Sequence, residues 1–119
     1  MWYKLNHLEK SDSEEITAEI QIPPDSPWFN GHFPEHPVLP GIAQVGMVWD
    51  AINHFGNQNM KISHISRVRF KQMIRPNDSL RITVTPRKDH ADSYAFRIMI
   101  DEELACSGLM KVENVSQLL

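Results

Sequence analysis

The chain has 119 residues, of which 41% are hydrophobic and 23% charged, and its formal net charge is −3. This balance is typical of a globular protein, and the lack of a basic excess argues against nucleic acid or an anionic membrane as a partner. A chain of this length is expected to form one domain, residues 1–119, and it is small for an enclosed active site. We therefore expect a homodimer, or a larger assembly of dimers, in which two chains share a site.

The N-terminal segment lacks the long apolar run of a signal peptide, and no apolar stretch is long enough to span a bilayer. The cytoplasm is therefore the expected location. Cys106 is the single cysteine, which excludes an internal disulfide and a thiolate metal cluster within the chain. Because it lies in an alternating strand pattern, we expect Cys106 to be a small core residue rather than a nucleophile.

Hydrophobic periodicity predicts an α+β domain with one long helix. Alternation over residues 14–22 indicates a half-buried strand, while residues 2–8 fit either an edge strand or a short arm. From Gly41 to Phe55 apolar residues fall on nearly every side of a helix, which indicates that it is buried, and Gly56 follows as a stop. Four further strands are expected at Ile62–Phe70, Leu80–Pro86, Tyr94–Ile100 and Leu104–Val112. This order predicts an antiparallel sheet wrapped around the helix.

A proline-rich loop from Pro23 to Pro40 precedes the helix, and a loop of that length in a small domain is usually functional. Its prolines fix φ and push the residues before them into extended conformations, so His32 is held on a stiffened loop. Gly41 begins the helix, whose first N–H groups have no intrahelical partner and can bind a carbonyl or an anion. A general base and an oxyanion donor are thus expected side by side.

The segment GHFPEHPVLPG, residues 31–41, strongly resembles the GHFPxxPVxPG signature of the hotdog-fold 3-hydroxyacyl-[acyl-carrier-protein] dehydratases, the FabA/FabZ-like enzymes of fatty acid synthesis. The segment HISRVRFKQMIRPNDSLRITVTP, residues 64–86, is similar to the part of that family that follows the helix. The resemblance extends over most of the chain from about Pro24. The wording PVLPGIAQ also resembles dehydratase-like members of aryl-polyene pathways.

The resemblance implies a hotdog fold and the reversible elimination of water from a 3-hydroxyacyl thioester, carried by acyl carrier protein or coenzyme A, to a trans-2-enoyl thioester. It assigns His32 as the base that removes the α proton and the Gly41 N–H as the carbonyl donor. A neutral imidazole and a preorganised donor suit those tasks. Substrate-binding positions are expected at Phe33, Pro40, Gly46 and Asn53. No metal or redox cofactor is implied, and none of the 6 histidines has the spacing of a metal site.

One position departs from the family pattern. Five positions after the glycine of the PG pair the family carries a Glu or Asp, which protonates the leaving hydroxyl, but this chain has Gly46. Asp50 lies about one helical turn, roughly 6 Å, beyond Gly46 on the same face, which Asn53 shares. We hypothesise that Asp50 is a displaced general acid or water-holding group. The alternative is a carboxylate that pairs with an arginine or faces a wet interface.

Two other functions fit the same fold. One is thioester hydrolysis by an acyl-thioesterase, and the other is a non-catalytic protein that binds acyl thioesters or serves as the partner subunit of an active dehydratase. Gly46 favours the non-catalytic alternative. A set of cations either receives an acidic acyl carrier protein or forms solvated strand faces: Arg67, Arg69, Lys71, Arg75 and Arg81.

Overall fold

The computed structural model describes residues 2–30, 37–56 and 59–115. Its elements are β1 (Lys4–Lys10), β2 (Ile16–Gln21), a 3₁₀ turn (Pro27–Phe29), α1 (Gly41–Phe55), β3 (Met60–Phe70), β4 (Ser79–Pro86), β5 (Ser93–Ile100) and β6 (Glu103–Asn114). The strands form one 6-stranded sheet in the order β1-β2-β4-β5-β6-β3, and every neighbouring pair is antiparallel. The predicted α+β class, an antiparallel sheet with one long helix, is confirmed.

The inner face of the sheet follows from the alternation of residues along β2 and β4. Ile16 and Ala18 in β2 are buried and lie opposite Val84 and Ile82 in β4, which are also buried. Directly opposed residues of an antiparallel pair point to the same face, so these side chains form one apolar layer. The polar residues between them point to the outer face, where the side chains remain accessible to water.

Helix α1 packs on this apolar layer with one of its faces. Met47 and Val48 are 1% and 0% exposed, whereas Ile42 on the other side is 75% exposed. The prediction that the helix is buried on nearly every side is therefore wrong for one face. A single sheet covers one side of a helix, and within the described part of this chain no second layer covers the other side.

The helix has the predicted bounds, and the N–H of Gly56 donates to the carbonyl oxygen of Ile52 at its end. Each of the four later strands begins one or two residues earlier than predicted, and β6 continues to Asn114. Pairing continues past the hydrophobic alternation, as in the Met60–Asn114 pair of β3 and β6. The backbone ladder, which does not depend on side-chain polarity, therefore sets the strand ends.

The first strand, β1, is an edge strand, as one of the two interpretations of residues 2–8 predicted, and the other edge is β3. Cys106 is fully buried in β6, which confirms its predicted place in the core. Burial raises the pKa of the Cys106 thiol from its usual 9.0 to about 11. A thiol that resists ionisation is a poor nucleophile at neutral pH.

Among the described residues, no helix has the length and apolar character needed to cross a membrane.

Candidate active site

The loop before α1 is anchored where it rejoins the body of the protein. His32 and Phe33, expected as the base and as a substrate contact, lie outside the described residues. On the N-terminal side Phe29 is buried, and on the C-terminal side the N–H of Leu39 donates to the carbonyl oxygen of Ile74 at 2.8 Å. Leu39 and Ile74 are themselves buried, so this backbone bond holds the chain immediately before the helix begins.

The N-terminus of α1 presents unpaired backbone donors. The carbonyl oxygen of Pro40, the N-cap residue, accepts the N–H groups of Ala43 and Gln44 at 3.1 Å and 3.2 Å. The N–H groups of Gly41 and Ile42 have no acceptor among the described residues. Such groups bind a carbonyl oxygen or an anion. The position expected to hold a substrate carbonyl, Gly41, thus has a free donor.

An aromatic ring lies directly over the first residue of the helix. A Cβ atom built on Gly41 would lie 2.5 Å from Cζ of Phe70, so a larger residue at this position would require the ring to move. Phe70 remains 55% exposed. The free N–H groups are therefore bordered by an apolar surface that is itself open to a further molecule.

A buried glutamine that sequence reasoning did not select supports this end of the helix. The Nε2 of Gln44 donates to the carbonyl oxygen of Leu39 at 3.2 Å, which ties the helix to the loop before it. Its Oε1 is buried without a partner among the described residues. The sequence signal that could have identified Gln44 is its position as a polar residue in an apolar helix. Gln44 holds Leu39, the residue that precedes Pro40, against the helix.

Gly46 lies on the open face of α1. A Cβ atom built there would have no neighbouring atom within 4 Å, so nothing in the described structure requires a glycine at this position. The resemblance places an acid at this position, and the described residues of this chain leave space for such a side chain. The described residues of this chain therefore do not exclude a carboxylate here by crowding.

Asp50 has a hydrogen-bond partner that the sequence analysis missed. The hydroxyl of Tyr3 donates to Oδ2 of Asp50 at 2.7 Å, and Tyr3 is only 7% exposed. The alternative that Asp50 pairs with an arginine is wrong for the described residues, because its neighbour is this phenol. No spacing rule connects residues 3 and 50, and the pair forms only when β1 is placed at the sheet edge beside the helix.

Three effects keep the phenol of Tyr3 protonated. Burial contributes most, the hydrogen bond to Asp50 adds to it, and the charge of Asp50 acts in the same direction, so the pKa of Tyr3 is raised far above its usual value. A phenol that keeps its proton remains a hydrogen-bond donor at any physiological pH. The hydrogen bond therefore keeps one direction, with the Tyr3 hydroxyl as donor and the Asp50 carboxylate as acceptor.

The space on the other side of Asp50 is a small apolar cavity of about 80 Å³ between the helix and the first two strands. Its lining residues are Tyr3, Leu5, Leu8, Ala18, Ile20, Met47, Asp50, Ala51 and His54. Asp50 thus stands at a boundary, with this cavity on one side and the open face of Gly46 on the other.

Asn53 has a structural contact in addition to its expected place on the open face. Its Oδ1 accepts the N–H of Met60 at 3.2 Å, and the indole N–H of Trp49 donates to the carbonyl oxygen of Met60 at 3.2 Å. Together these two side chains hold the first residue of β3 against the helix. The substrate-binding role expected for Asn53 stays a prediction, as do those of Pro40 and Gly46.

The described residues contain no group of three or more histidine, cysteine, aspartate or glutamate side chains that could hold a metal ion.

Comparison with known proteins identifies the family. The sequence model of the ApeI-like family, described as ApeI dehydratase, matches residues 8–109. The 3-hydroxyacyl-[acyl-carrier-protein] dehydratase FabZ of Oenococcus oeni is 31% identical over 110 residues, covering 85% of this chain and 79% of that protein. The FabZ of Syntrophomonas wolfei is 37% identical over 110 residues, covering 85% of this chain and 76% of that protein.

Solved structures agree with this. The dehydratase heterocomplex ApeI:P from Xenorhabdus doucetiae matches with a TM-score of 0.83 and 27% identity, covering 94% of this chain and 98% of that one. The dehydratase domain from the CurJ module of curacin polyketide synthase, at 17% identity and a TM-score of 0.70, shares the fold; the match covers 96% of this chain and 44% of that one. The resemblance to hotdog-fold, FabZ-like dehydratases and to their aryl-polyene subgroup is confirmed, and the chain belongs to the ApeI-like family of dehydratases.

Proposed function

We propose that this protein dehydrates a 3-hydroxyacyl thioester to the trans-2-enoyl thioester, with the usual helix acid absent at Gly46. The observation that carries the proposal is the pair of N–H groups at Gly41 and Ile42, which have no acceptor among the described residues and lie at the end of the GHFPEHPVLPG segment. A thioester carbonyl held there develops negative charge on its oxygen as the α proton leaves, and preorganised donors stabilise that charge.

In this reaction His32 removes the proton from the α carbon. The electron pair of the broken C–H bond forms the double bond to the β carbon as the C–O bond breaks, and the hydroxyl leaves as water after it takes up a proton. The proton on His32 returns to the acid through solvent, which resets the site. The product is one enoyl thioester and one water.

Asp50 is the proposed source or relay of the proton for the leaving hydroxyl. It lies one turn beyond Gly46, and Tyr3 occupies its Oδ2 only, so Oδ1 has no partner among the described residues. With Oδ1 protonated, the Asp50 carboxyl group lies one turn from the position that the resemblance assigns to the acid, about 6 Å along the helix, and passes this proton to the hydroxyl through one water.

The test is incubation of the purified chain with a 3-hydroxyacyl thioester and, separately, with the enoyl thioester, read by mass. We expect the 3-hydroxyacyl and enoyl thioesters to interconvert, with a mass difference of one water molecule. Asp50→Asn should lower turnover about tenfold or more, and His32→Ala by about a hundredfold or more, with the fold intact. Asp12→Asn, at an exposed carboxylate between β1 and β2, is the matched control and should leave turnover unchanged.

Other outcomes identify the competing functions. Release of free thiol from the acyl thioester, without loss of water, assigns the chain to thioester hydrolysis. Unchanged turnover in Asp50→Asn removes Asp50 from the mechanism.

The second candidate is a partner subunit that depends on another chain for its acid. The space that the described residues leave at Gly46 favours it, and the structural relative ApeI:P is a dehydratase heterocomplex. If wild-type protein is silent and Gly46→Glu creates dehydratase activity, this candidate replaces the first. Gly46→Gln has nearly the same shape without the carboxylate, so it is the control that must remain silent.

We also propose that the chain forms a homodimer through β3. This edge strand has 11 residues and exposes the apolar side chains of Ile62 and Ile65, whereas β1, the opposite edge, has 7 residues and is mostly polar or charged. A long apolar edge strand with unpaired backbone groups is a template for pairing with a second chain. The open face of α1 beside it, with Ile42, offers further apolar area.

Sedimentation analysis tests this assembly. Ile65→Lys should convert a dimer to a monomer, because it places a charge in the proposed contact. Leu5→Lys is the matched control, because Leu5 lies on the other edge and is 41% exposed against 37% for Ile65. A chain that sediments as a monomer before any substitution, or a dimer that survives Ile65→Lys, contradicts the proposal.

The proposed carrier is acyl carrier protein, with coenzyme A as the alternative. Four cations near Phe70 are exposed and lack an ion pair within the described structure: Arg67, Arg69, Lys71 and Arg75. Arg81, grouped with them in the sequence analysis, instead pairs with Glu19 at 3.4 Å. An unpaired basic surface beside the site suits an acidic carrier, and the steering is weakened by salt.

Neutralising Arg69 and Lys71 together, as Arg69→Gln with Lys71→Gln, should raise KM for the carrier-bound substrate about fivefold or more and leave KM for the coenzyme A substrate unchanged. Arg81→Gln is the control. An equal change for both carriers contradicts the carrier assignment. The cytoplasmic location and the single domain over residues 1–119 stay predictions.

A further inference from the structure

The hydroxyl of Tyr3 is the one partner of the Asp50 side chain among the described residues. It donates to Oδ2 at 2.7 Å, which leaves Oδ1 free. A hydrogen bond of this length to an ionised oxygen is a strong one. Tyr3 therefore fixes the torsion of a carboxylate that would otherwise rotate on the open side of the helix.

Tyr3 is itself held in place by its surroundings. It directly precedes β1, whose first residue, Lys4, pairs with Gln21 of β2. The ring of Trp2 packs edge to face on Tyr3, with ring centroids 4.7 Å apart. A phenol has two side-chain torsions, and in this case both are restrained by packing and burial, so its hydroxyl has little freedom to leave Asp50.

The same aromatic contacts lead toward the loop that carries the proposed base. Trp2 also packs edge to face on Trp28, with ring centroids 5.9 Å apart. Trp28 lies in the 3₁₀ turn, four residues before His32 in the sequence. The start of the chain is thus in contact with α1 through Tyr3 and with the beginning of the loop through Trp2.

We propose that Tyr3 is a positioning residue for the dehydration, which orients the Asp50 carboxylate so that Oδ1 is directed to the open face at Gly46. This inference rests on the proposed function, because it acts through Asp50. Tyr3 has no contact with substrate in this scheme. The N-terminal residues, which precede the family match at residues 8–109, are then part of the catalytic apparatus of this chain.

A bond that serves stability alone differs from a positioning bond in its kinetic signature. Loss of a stability contact lowers the fraction of folded protein and scales activity with it, whatever residue stands at position 50. Loss of a positioning contact lowers kcat with KM unchanged, and it has no effect once the carboxylate is gone.

The experiment is a double-mutant cycle in the full-length protein with Tyr3→Phe and Asp50→Asn. Tyr3→Phe keeps the ring and its contacts and removes only the hydroxyl. We expect kcat to fall about tenfold, with KM within about twofold of wild type, and no further fall when Tyr3→Phe is added to Asp50→Asn. Tyr94→Phe, at the other tyrosine of the chain, is the matched control and leaves kcat unchanged.

The outcomes separate this inference from the function on which it rests. A wild-type chain without turnover overturns the proposed function and this inference with it. Turnover that falls in Asp50→Asn and stays unchanged in Tyr3→Phe overturns the positioning role alone. Additive effects of the two substitutions, with melting temperatures of the variants lowered in parallel, also overturn it and assign the bond to stability.

Discussion

The two faces of α1 differ in burial: one packs against the sheet and the other is exposed. One face consists of small and medium apolar residues, among them Met47 and Val48, which are buried against the sheet. The other has Ile42 exposed at 75%, a glycine at position 46 where an added Cβ would meet no described atom within 4 Å, and N–H groups at its start without an acceptor among the described residues. The first face is filled by this chain, and the second remains available to another molecule.

This difference explains how a short chain holds both a core and a reaction site. Apolar area removed from water by Met47 and Val48 stabilises the fold at about 25 cal/mol per Å². The open face contributes little to that stability, so its residues are free to vary with function. Gly46 lies on this open face, and Asp50 lies on the border between the two faces.

The largest expected effect is a difference in the free energy of unfolding between substitutions on the two faces. Met47→Ala should lower the free energy of unfolding by about 2–5 kcal/mol, because it leaves a cavity on the packed face. Ile42→Ala, five residues earlier in the same helix, should change it by less than about 0.5 kcal/mol at a protein concentration low enough for the chain to be monomeric. Urea titration of both variants measures the difference. Equal losses would contradict the division into two faces.

The variants Met47→Ala and Ile42→Ala also distinguish the two helix faces at higher protein concentration. If the open face is covered by a second chain in solution, the difference in midpoint between Ile42→Ala and wild type should grow with protein concentration, while the difference between Met47→Ala and wild type stays constant.

An intermediate effect on the free energy of unfolding is expected from the titration of the Cys106 thiol. Cys106 lies in the packed core, opposite Ile98 in the sheet. Its folded-state pKa of about 11 lies above the usual 9.0, so its contribution is fully present below about pH 9 and is lost as the pH rises to about 11. The loss should be on the order of 2 kcal/mol. Unfolding free energies of wild type and Cys106→Ala across this range measure it, and identical pH dependence in both would contradict it.

The smallest effect is expected on the open face. Gly46→Ala should raise the free energy of unfolding by about 0.5–1 kcal/mol, because alanine favours the helix and its Cβ meets no atom within 4 Å. Thermal melts at low concentration measure it. A destabilised Gly46→Ala would mean that another chain packs closely on this face, which would make the glycine a contact residue.

Much of the fold followed from local sequence. The bounds of α1 were predicted because apolar periodicity and a terminal Gly56 act within a few residues of one another. The alternation in β2 likewise predicted which side chains are buried. The strand ends were predicted less accurately, because pairing with a neighbouring strand, as between Met60 and Asn114, continues where the hydrophobic alternation stops.

The site was predicted in part. The motif at residues 31–41 predicts His32 as the base and Gly41 as the carbonyl donor, and both roles stay predictions. The hydrogen bonds of Asn53 to Met60 and of Gln44 to Leu39 were not foreseen, because each depends on how the helix meets the chain at its ends.

The sequence by itself determined the family signature, the long helix and the strands, because these are encoded by residues close together along the chain. Only the tertiary structure decided that one face of α1 is left uncovered by the described residues and that Tyr3 bonds to Asp50, 47 residues away. The physical reason is that a local pattern specifies which side of an element is apolar but not what covers it. That depends on which strand forms the edge of the sheet, and in this chain β1 brings the phenol to the carboxylate.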